Sequence, residues 1–386
     1  MTLKEYIMQT HRKPQHCLKL LACFAACAVV GLMSGCKPAS EKGKTLTTGQ
    51  GSTAIQLGAV FPLTGDIASY GIAAKMGIDL AVDELNARGG VNGRKIEVCY
   101  EDDQGQATKA VAAIQKLVSV DKVPAVMGSA ASSVTLAMCP IANLKKVVLM
   151  SPISSSTDLT KQGGPFFFRV CPSDGVQAKM MAEWLKEDGR STVGIIFANN
   201  SWGQGLKTEF VADFQASDGK VTDIEACKEG DQDLRAQLSK IKGASPDAIY
   251  AITYGREGGA LLRQAKELAI DKPIYGADVW GSPELVDTAK ETANGVKIIV
   301  PTQFQGTKYQ DFASAFQKKY GEAPDTYASY SYDMVMVLAS ALSKQERGDA
   351  LRAAISSSSY DGVTGITTFD SNGDVVGKGF HRKMLP

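Results

Sequence analysis

From Ala54 onward the chain alternates between short apolar runs rich in β-branched residues and longer stretches whose apolar positions recur every three to five residues. The run AIQLGAVF predicts a strand, and 69–87 predicts a helix carried by Ile72, Met76, Leu80 and Leu85 and stopped by Gly89 and Gly90. KIEVCY, VPAVMG and KVVLMS predict the next three strands, with helices over 108–120 and 132–144 between them. The order then restarts. Helices are predicted over 174–187, 203–216, 234–241 and 257–268, and the strands between and after them are STVGIIFAN, KVTDIEAC, DAIYAIT, KPIYGA and GVKIIV. After Pro301 come helices over 309–320 and 328–342, a short helix near Asp349, and a β-rich tail, GITTFD and GKGFHRKML.

Strands alternating with helices of this length build parallel sheets covered on both faces. The expected fold class is therefore α/β, with two doubly wound, Rossmann-like lobes. The tail is too small for a core of its own. The chain is expected to return to the first lobe after Pro301 and to finish with a strand in the second. Lobe 1 would comprise 55–173 plus 302–374, and lobe 2 would comprise 174–301 plus 375–386. Several crossings between lobes would make a hinge.

The periodicity fails before residue 54, where a different object begins. His11, Arg12, Lys13 and Lys19 precede the apolar run LLACFAACAVVGLM and the small pair Ser34-Gly35, the layout of an export signal over 1–35. That run is shorter than the roughly 20 apolar residues of a spanning helix. LMSGC resembles a lipobox, with Met33 where that motif prefers Leu, and makes Cys36 the expected lipid attachment point; a plain signal peptide with an incidental cysteine is the alternative. Residues 36–54 are polar, aperiodic and rich in Lys, Gly, Ser and Thr, as a flexible tether would be.

Composition narrows the possibilities further. A chain of 386 residues with 44% apolar content can hold two cores. Its formal charge of +1, falling to −2 once residues 1–35 are removed, leaves no electrostatic footprint for nucleic acid. Cys17, Cys23 and Cys27 fall in the signal, and Cys99, Cys139, Cys171 and Cys227 remain, without CxxC spacing; zinc is not expected, and free thiols or a disulfide both stay open. Two of the three histidines, His11 and His16, lie in the signal and His381 is close to the C-terminus, which argues against a histidine triad or histidine metal site. No GxxxxGK[ST] loop occurs, and the nearest dinucleotide fingerprint, at Gly203 and Gly205, has Thr208 where a third glycine belongs. No cofactor, no metal and no catalytic residue are expected; a Rossmann-type enzyme is the weak rival.

Ligands of open parallel sheets bind beyond the carboxyl ends of the strands. After VPAVMG, SAASS opens a helix, where Ser132 or Ser133 and the helix start suit a carboxylate, or serve only as a cap. After KVVLMS, PISSST supplies Ile153, Ser154 and Ser155, a hydroxyl-rich loop or a solvated turn. In the second half Tyr254 and Asp278 follow strands, and Asp278 could hold an ammonium group or act as a cap or surface charge. Tyr70, Trp202, Trp280 and Phe61 could wall an apolar pocket or pack the lobes.

GAVFPLTGDIASYG, GIDLAVDELNARGGVNGRKIEV, YEDDQ, VMGSAASS, LMSPISSSTDLT and FFFRVCPSDGVQA, followed by ALLRQAKELA, IYGAD, YSYD and GVTGITTFDSNGD, resemble in order the type I periplasmic binding proteins of the leucine/isoleucine/valine-binding protein family. The resemblance spans about residues 55–380. It implies two lobes joined by three crossings, and capture of an amino acid outside the cytoplasm for an ABC importer whose permease and ATPases are separate chains. A monomer is expected, held on the periplasmic or cell-surface side of the membrane by the lipid anchor that LMSGC suggests. In that family the equivalents of Ser132, Ser155 and Ile153 hold the amino-acid group through hydroxyls and backbone, that of Asp278 pairs with the ammonium, and those of Tyr254 and Tyr70 line the cleft. The chain departs from the pattern in several places. Ser155 replaces threonine, Asp278 replaces glutamate, the loop FPLTGDIASY is longer, and Gly105 and Ala131 stand where the branched-chain binders carry a disulfide. An amide or aromatic acid as ligand, or a sensor rather than a permease as partner, remains the alternative.

Overall fold

The computed structural model describes residues 54–386. The expected signal, the lipid-bearing Cys36 and nearly all of the expected tether lie outside the described residues.

The first sheet takes β1 (Ile55–Phe61), β2 (Ile96–Asp102), β3 (Ala125–Gly128), β4 (Val148–Ser151) and β5 (Phe167–Arg169) in the spatial order β2-β1-β3-β4-β5, all parallel. β3 and β4 are buried throughout, as expected of central parallel strands covered on both sides. Helices α1 (Ala68–Ala87), α2 (Ala107–Ser119), α3 (Ser132–Lys145) and α4 (Thr157–Gln162) connect them. β5 and α4 went unpredicted, because three and six residues are too few to show a period.

The second sheet is built from β6 (Thr192–Ala198), β7 (Lys220–Cys227), β8 (Ala248–Ile252), β9 (Ile274–Gly276) and β10 (Lys297–Pro301). Its helices are α5 (Asp174–Glu187), α6 (Ser201–Ala216), α7 (Arg235–Ala244), α8 (Gly255–Glu267) and the unpredicted α9 (Pro283–Ala289). Then α10 (Thr307–Tyr320), α11 (Thr326–Leu342) and α12 (Gly348–Ser356) return to the first lobe. α11 is buried on nearly every side, and α1 packs along it; a Cβ added at Gly77 would stand 2.1 Å from the Ala328 carbonyl oxygen, so only glycine permits that approach.

An antiparallel sheet of β11 (Tyr360–Gly362), β12 (Gly365–Phe369) and β13 (Val375–Val376) follows, tied to α11 by Asp333, whose carboxylate accepts the N–H groups of Val363 and Thr364 at 2.9 and 2.8 Å. The last strand, β14 (Phe380–Met384), pairs antiparallel with β10 and completes the second sheet in the order β14-β10-β9-β8-β6-β7. The chain therefore passes between the sheets three times, at 170–173, 302–306 and 377–379. Val375 pairs with Phe369, which puts the third passage slightly beyond the break expected after residue 374. All four cysteines of the described residues are free thiols, and burial pushes those of Cys139, Cys171 and Cys227 up to about 12.

Candidate functional site

Each sheet has a point where strand order reverses: β1 lies between β2 and β3, and β6 lies between β7 and β8. The loops leaving neighbouring strands diverge there and open a crevice. The two crevices face one another. Between them lies a narrow cavity, partly open to solvent, lined by Ile67, Tyr70, Ala130, Ala131, Ser132, Ile153, Ser155, Trp202, Tyr254, Asp278, Val279 and Tyr327. A more open chamber adjoins it, sharing Tyr70, Asp278 and Tyr327 and bounded by the second passage between the lobes.

The lobe 1 wall is made of small groups held from beneath. Gly128 has φ +133°, and a Cβ there would lie 1.9 Å from the Val60 carbonyl oxygen, so the end of β3 must be glycine. Beyond it Ser129 is fully buried, donating its hydroxyl to Asp103 at 2.6 Å and its N–H to Thr135 Oγ1 at 2.8 Å. The Ser151 hydroxyl donates to the Ser129 carbonyl at 2.8 Å, and that of Ser154 to the same carbonyl at 2.9 Å. This buried hydroxyl network fixes the loop that presents Ala130, Ala131 and Ser132. Ser132 opens α3, and its Oγ accepts the N–H of Ser156 at 3.2 Å. Ile153 gives its N–H to Ser151 Oγ at 3.2 Å, and Ser155 accepts the N–H of Asp174 at 2.9 Å.

The opposite wall is acidic and aromatic. Asp278 begins a short 3-10 turn, Asp278–Gly281, after β9. Its position is set by Trp280, which is fully buried and donates its indole N–H to the Thr253 carbonyl at 2.8 Å. Gln177 grips Asp278 from α5, donating Nε2 to Oδ1 at 3.1 Å and accepting the Asp278 N–H at 3.3 Å. Burial holds the Asp278 carboxyl above its ordinary range. Among the described residues no Lys or Arg is paired with it. Trp202 and Tyr254 lie against each other at 4.9 Å between centroids, and Tyr70 meets Tyr254 at 6.1 Å and Tyr327 at 5.3 Å, a run of aromatic rings that continues across both lobes. Burial keeps the Tyr70, Tyr254 and Tyr327 hydroxyls neutral by raising them far above their usual range.

Of the residues singled out in the sequence, Ser132, Ile153, Ser155, Tyr254, Asp278, Tyr70 and Trp202 all border this one cavity. Ser133 and Ser154 do not: Ser133 is half-buried one position along α3, and the Ser154 side chain is spent in the network under the loop. Trp280 and Phe61, considered as walls, are core residues. Ile67, Ala130, Ala131, Val279 and Tyr327 were missed. Ala130 and Ala131 sat inside the quoted SAASS loop, whereas Tyr327 lies on α11, 257 residues from the Tyr70 ring it meets, and only the return of the chain brings it there.

The lobes touch around the cavity. Ser156 donates its hydroxyl to the Ser201 carbonyl at 3.0 Å, Ser201 donates its own to Asp158 at 3.1 Å, Lys161 pairs with Glu209 at 2.9 Å, and Arg256 approaches Asp66 at 3.6 Å. The family model described as periplasmic binding protein matches residues 54–380. The chain belongs to that family. It is 28% identical over 361 residues to the leucine-, isoleucine-, valine-, threonine- and alanine-binding protein of Pseudomonas aeruginosa, covering 92% of this chain and 93% of that one. It is 30% identical over 336 residues to the Leu/Ile/Val-binding protein BraC3 of Rhizobium johnstonii, covering 84% and 90%. The crystal structure of the branched-chain amino acid transporter substrate-binding protein LivJ of Streptococcus pneumoniae, in complex with isoleucine, superposes with a TM-score of 0.76 at 30% identity, covering 86% of this chain and all of that one. As a periplasmic binding protein the chain has a two-lobed α/β fold with its cleft at the facing switch points. No helix of the described residues is long and apolar enough to cross a membrane.

Proposed function

We propose that this periplasmic binding protein captures an amino acid with an apolar side chain between its lobes and delivers it to the permease of an ABC importer. One observation carries the reading: Ser132, Ser155 and the start of α3 stand on one side of one cavity, and the cation-free carboxylate of Asp278 stands on the other. A zwitterion matches both. Its carboxylate suits hydroxyls and a helix N-terminus, and its ammonium suits a buried acid. Ile67, Ile153, Val279 and the aromatic rings leave an apolar remainder for the side chain. The names of its relatives, which bind leucine, isoleucine and valine, support the same class.

Ligand docks on lobe 1 first, and Tyr254, Trp202 and Asp278 reach it only when the lobes close, so binding favours closure. The three passages act as the hinge between lobe 1 (55–173 plus 302–374) and lobe 2 (174–301 plus 375–386), with the third running a little later. The protein works as a monomer, anchored outside the cytoplasm by lipid on Cys36, and its permease and ATPases are separate chains. Replacing Cys36 with serine releases the protein from membranes in fractionation, and persistent lipid labelling of that variant rules the anchor out.

The test of ligand class is a thermal-shift and calorimetric series with L-leucine, isoleucine, valine, threonine and alanine beside isoamylamine, 4-methylvalerate, benzoate and simple amides. An aliphatic amino acid at 100 times its dissociation constant adds about 2.7 kcal/mol of stability. The amine and the acid, each lacking one end, fall far behind it. Tight binding of benzoate or an amide with no response to amino acids overturns the reading.

A further inference from the structure

Behind the cavity wall two carboxylates share one amide. Asp174, fully buried, opens α5 directly after the first passage between the lobes. Gln177, also fully buried, donates Nε2 to Asp174 Oδ1 at 2.6 Å and to Asp278 Oδ1 at 3.1 Å. Both of its N–H bonds are thereby committed to acids. No donor among the described residues reaches Asp174 Oδ2, although the Ser155 hydroxyl lies beside that carboxyl group. Asp174 thus touches Ser155 of the lobe 1 wall, to whose carbonyl its N–H is also bonded at 2.9 Å, and reaches Asp278 of the lobe 2 wall through Gln177.

The charge around the pair does not balance. Glu284, Asp325, His381 and Lys383 line the open chamber that Asp278 also borders, and the ionisable groups acting on the buried pair itself are Arg169, Cys171, Tyr70, Tyr250, Tyr327 and Tyr330. The tyrosines and Cys171 are buried and neutral. Arg169 is the one cation among them, and its guanidinium is already engaged: Nε pairs with Asp374 at 2.7 Å, one terminal nitrogen donates to the Ser156 carbonyl at 2.8 Å, and the other meets Thr160. Two buried acids this close, with no cation of their own, do not both ionise at a moderate cost.

We infer that Asp174 and Asp278 hold one proton between them across Gln177 when the protein carries no ligand, and that the ammonium group of the ligand displaces it. The inference rests on the amino-acid reading of the cavity. The exchange balances: one positive charge enters as ammonium, one carboxylic O–H bond breaks, and the proton leaves to buffer with no change of oxidation state. Asp174 Oδ2, buried without a hydrogen-bond partner, is the atom with room for that proton. Asp174 and Gln177 are positioning residues that make the site demand a cationic head group. Burial holds both acids above the ordinary carboxylate range, and the charge of Asp278 raises Asp174 further. Two pH effects follow from that direction. Ligand affinity weakens by up to about tenfold per pH unit as acid fills the pair. The ligand-free fold binds more protons than the unfolded chain in the same range, so these groups make it more stable as pH falls through their native titration and less stable as it rises.

The test follows aspartate carboxyl carbons by NMR in the ligand-free protein between pH 4 and 8, in wild type and Asp278→Asn. Two linked titrations are expected in the wild type, one above the usual range, with the Asp174 step moving down in the variant because the neighbouring negative charge is gone. An Asp174 step identical in both proteins overturns the inference. Should D278N fail to fold, Gln177→Met removes the bridging amide and moves the shared step upward; no movement overturns the inference equally. Calorimetry with L-leucine at pH 6, in two buffers of different ionisation enthalpy, reads the exchange itself: release of about one proton per ligand supports it, and binding without release refutes it. Failure of every α-amino acid to bind defeats the proposed function, while the ligand-free titration still decides whether the proton is shared.

Discussion

The two walls of the cavity solve the same problem with opposite means. Lobe 1 offers neutral donors, Ser132, Ser155 and a helix start, and each is backed by a layer of buried hydroxyls in which every partner is accounted for. Lobe 2 offers a carboxylate with no counter-charge among the described residues, gripped by an amide that also serves a second acid. One wall has its hydrogen bonds filled, and the other holds two acids that share one amide. In the proposed mechanism the filled wall holds the ligand in the open protein, the acidic wall gains most from contacts that form on closure, and closing is favourable only when a cation arrives with the ligand.

The comparison breaks most directly at Asp278. Asp278→Ala leaves the ligand ammonium buried and unpaired, and calorimetry should show a loss of about 2–5 kcal/mol of binding with the melting temperature of the ligand-free protein held or raised. Unchanged affinity would take Asp278 out of the site. Ser132→Ala removes a hydroxyl from the neutral wall, worth about 1.5–3 kcal/mol against a charged carboxylate. It should weaken 4-methylvalerate and leucine alike, whereas Asp278→Ala should weaken leucine and leave the acid nearly untouched. If both variants fail in the same way towards both molecules, the division of labour is wrong.

A third change leaves both walls intact and addresses closure. Gly205 on α6 faces lobe 1, and a Cβ there would lie 2.7 Å from Ser156 Oγ. Gly205→Val wedges that contact and should cost about 1–3 kcal/mol of ligand affinity, with scattering profiles of the ligand-bound protein shifted towards an open form. A closed profile with full affinity would show that the lobes shut without this contact. The smallest effect is expected at the rim: Asp66→Asn breaks an exposed pair with Arg256 and should change affinity by about 0–1 kcal/mol, vanishing in high salt.

Much of the fold could be read along the chain because a doubly wound sheet writes its elements in order. The helix over 174–187 appears with the bounds expected, and strands such as Thr192–Ala198 are apolar nearly throughout because both faces are covered. Phe167–Arg169 and Thr157–Gln162 carry no readable period and were lost, whereas other short strands, such as Ala125–Gly128 and Ala248–Ile252, were found from their apolar runs. Residues just past strand ends were a sound guide to the cavity, since topology sends those loops there. Serine was the weak point of that guide. Ser132 and Ser154 look alike in sequence, yet one borders the cavity and the other holds up the loop beneath it.

What the sequence determined by itself was the alternation of strands and helices and the set of loops able to meet a ligand, because these depend on local periodicity and on residues a few positions apart. The tertiary structure alone decided that Tyr327 joins Tyr70 and Tyr254, that Trp280 supports Asp278 rather than walling the cavity, and that Gln177 ties Asp174 to Asp278. These partners lie 73 to 257 residues apart except for the turn of α5 that links Asp174 to Gln177 and the turn that joins Trp280 to Asp278. Which groups remain without a counter-charge is a property of a closed, desolvated space, and such a space exists only after distant segments have packed.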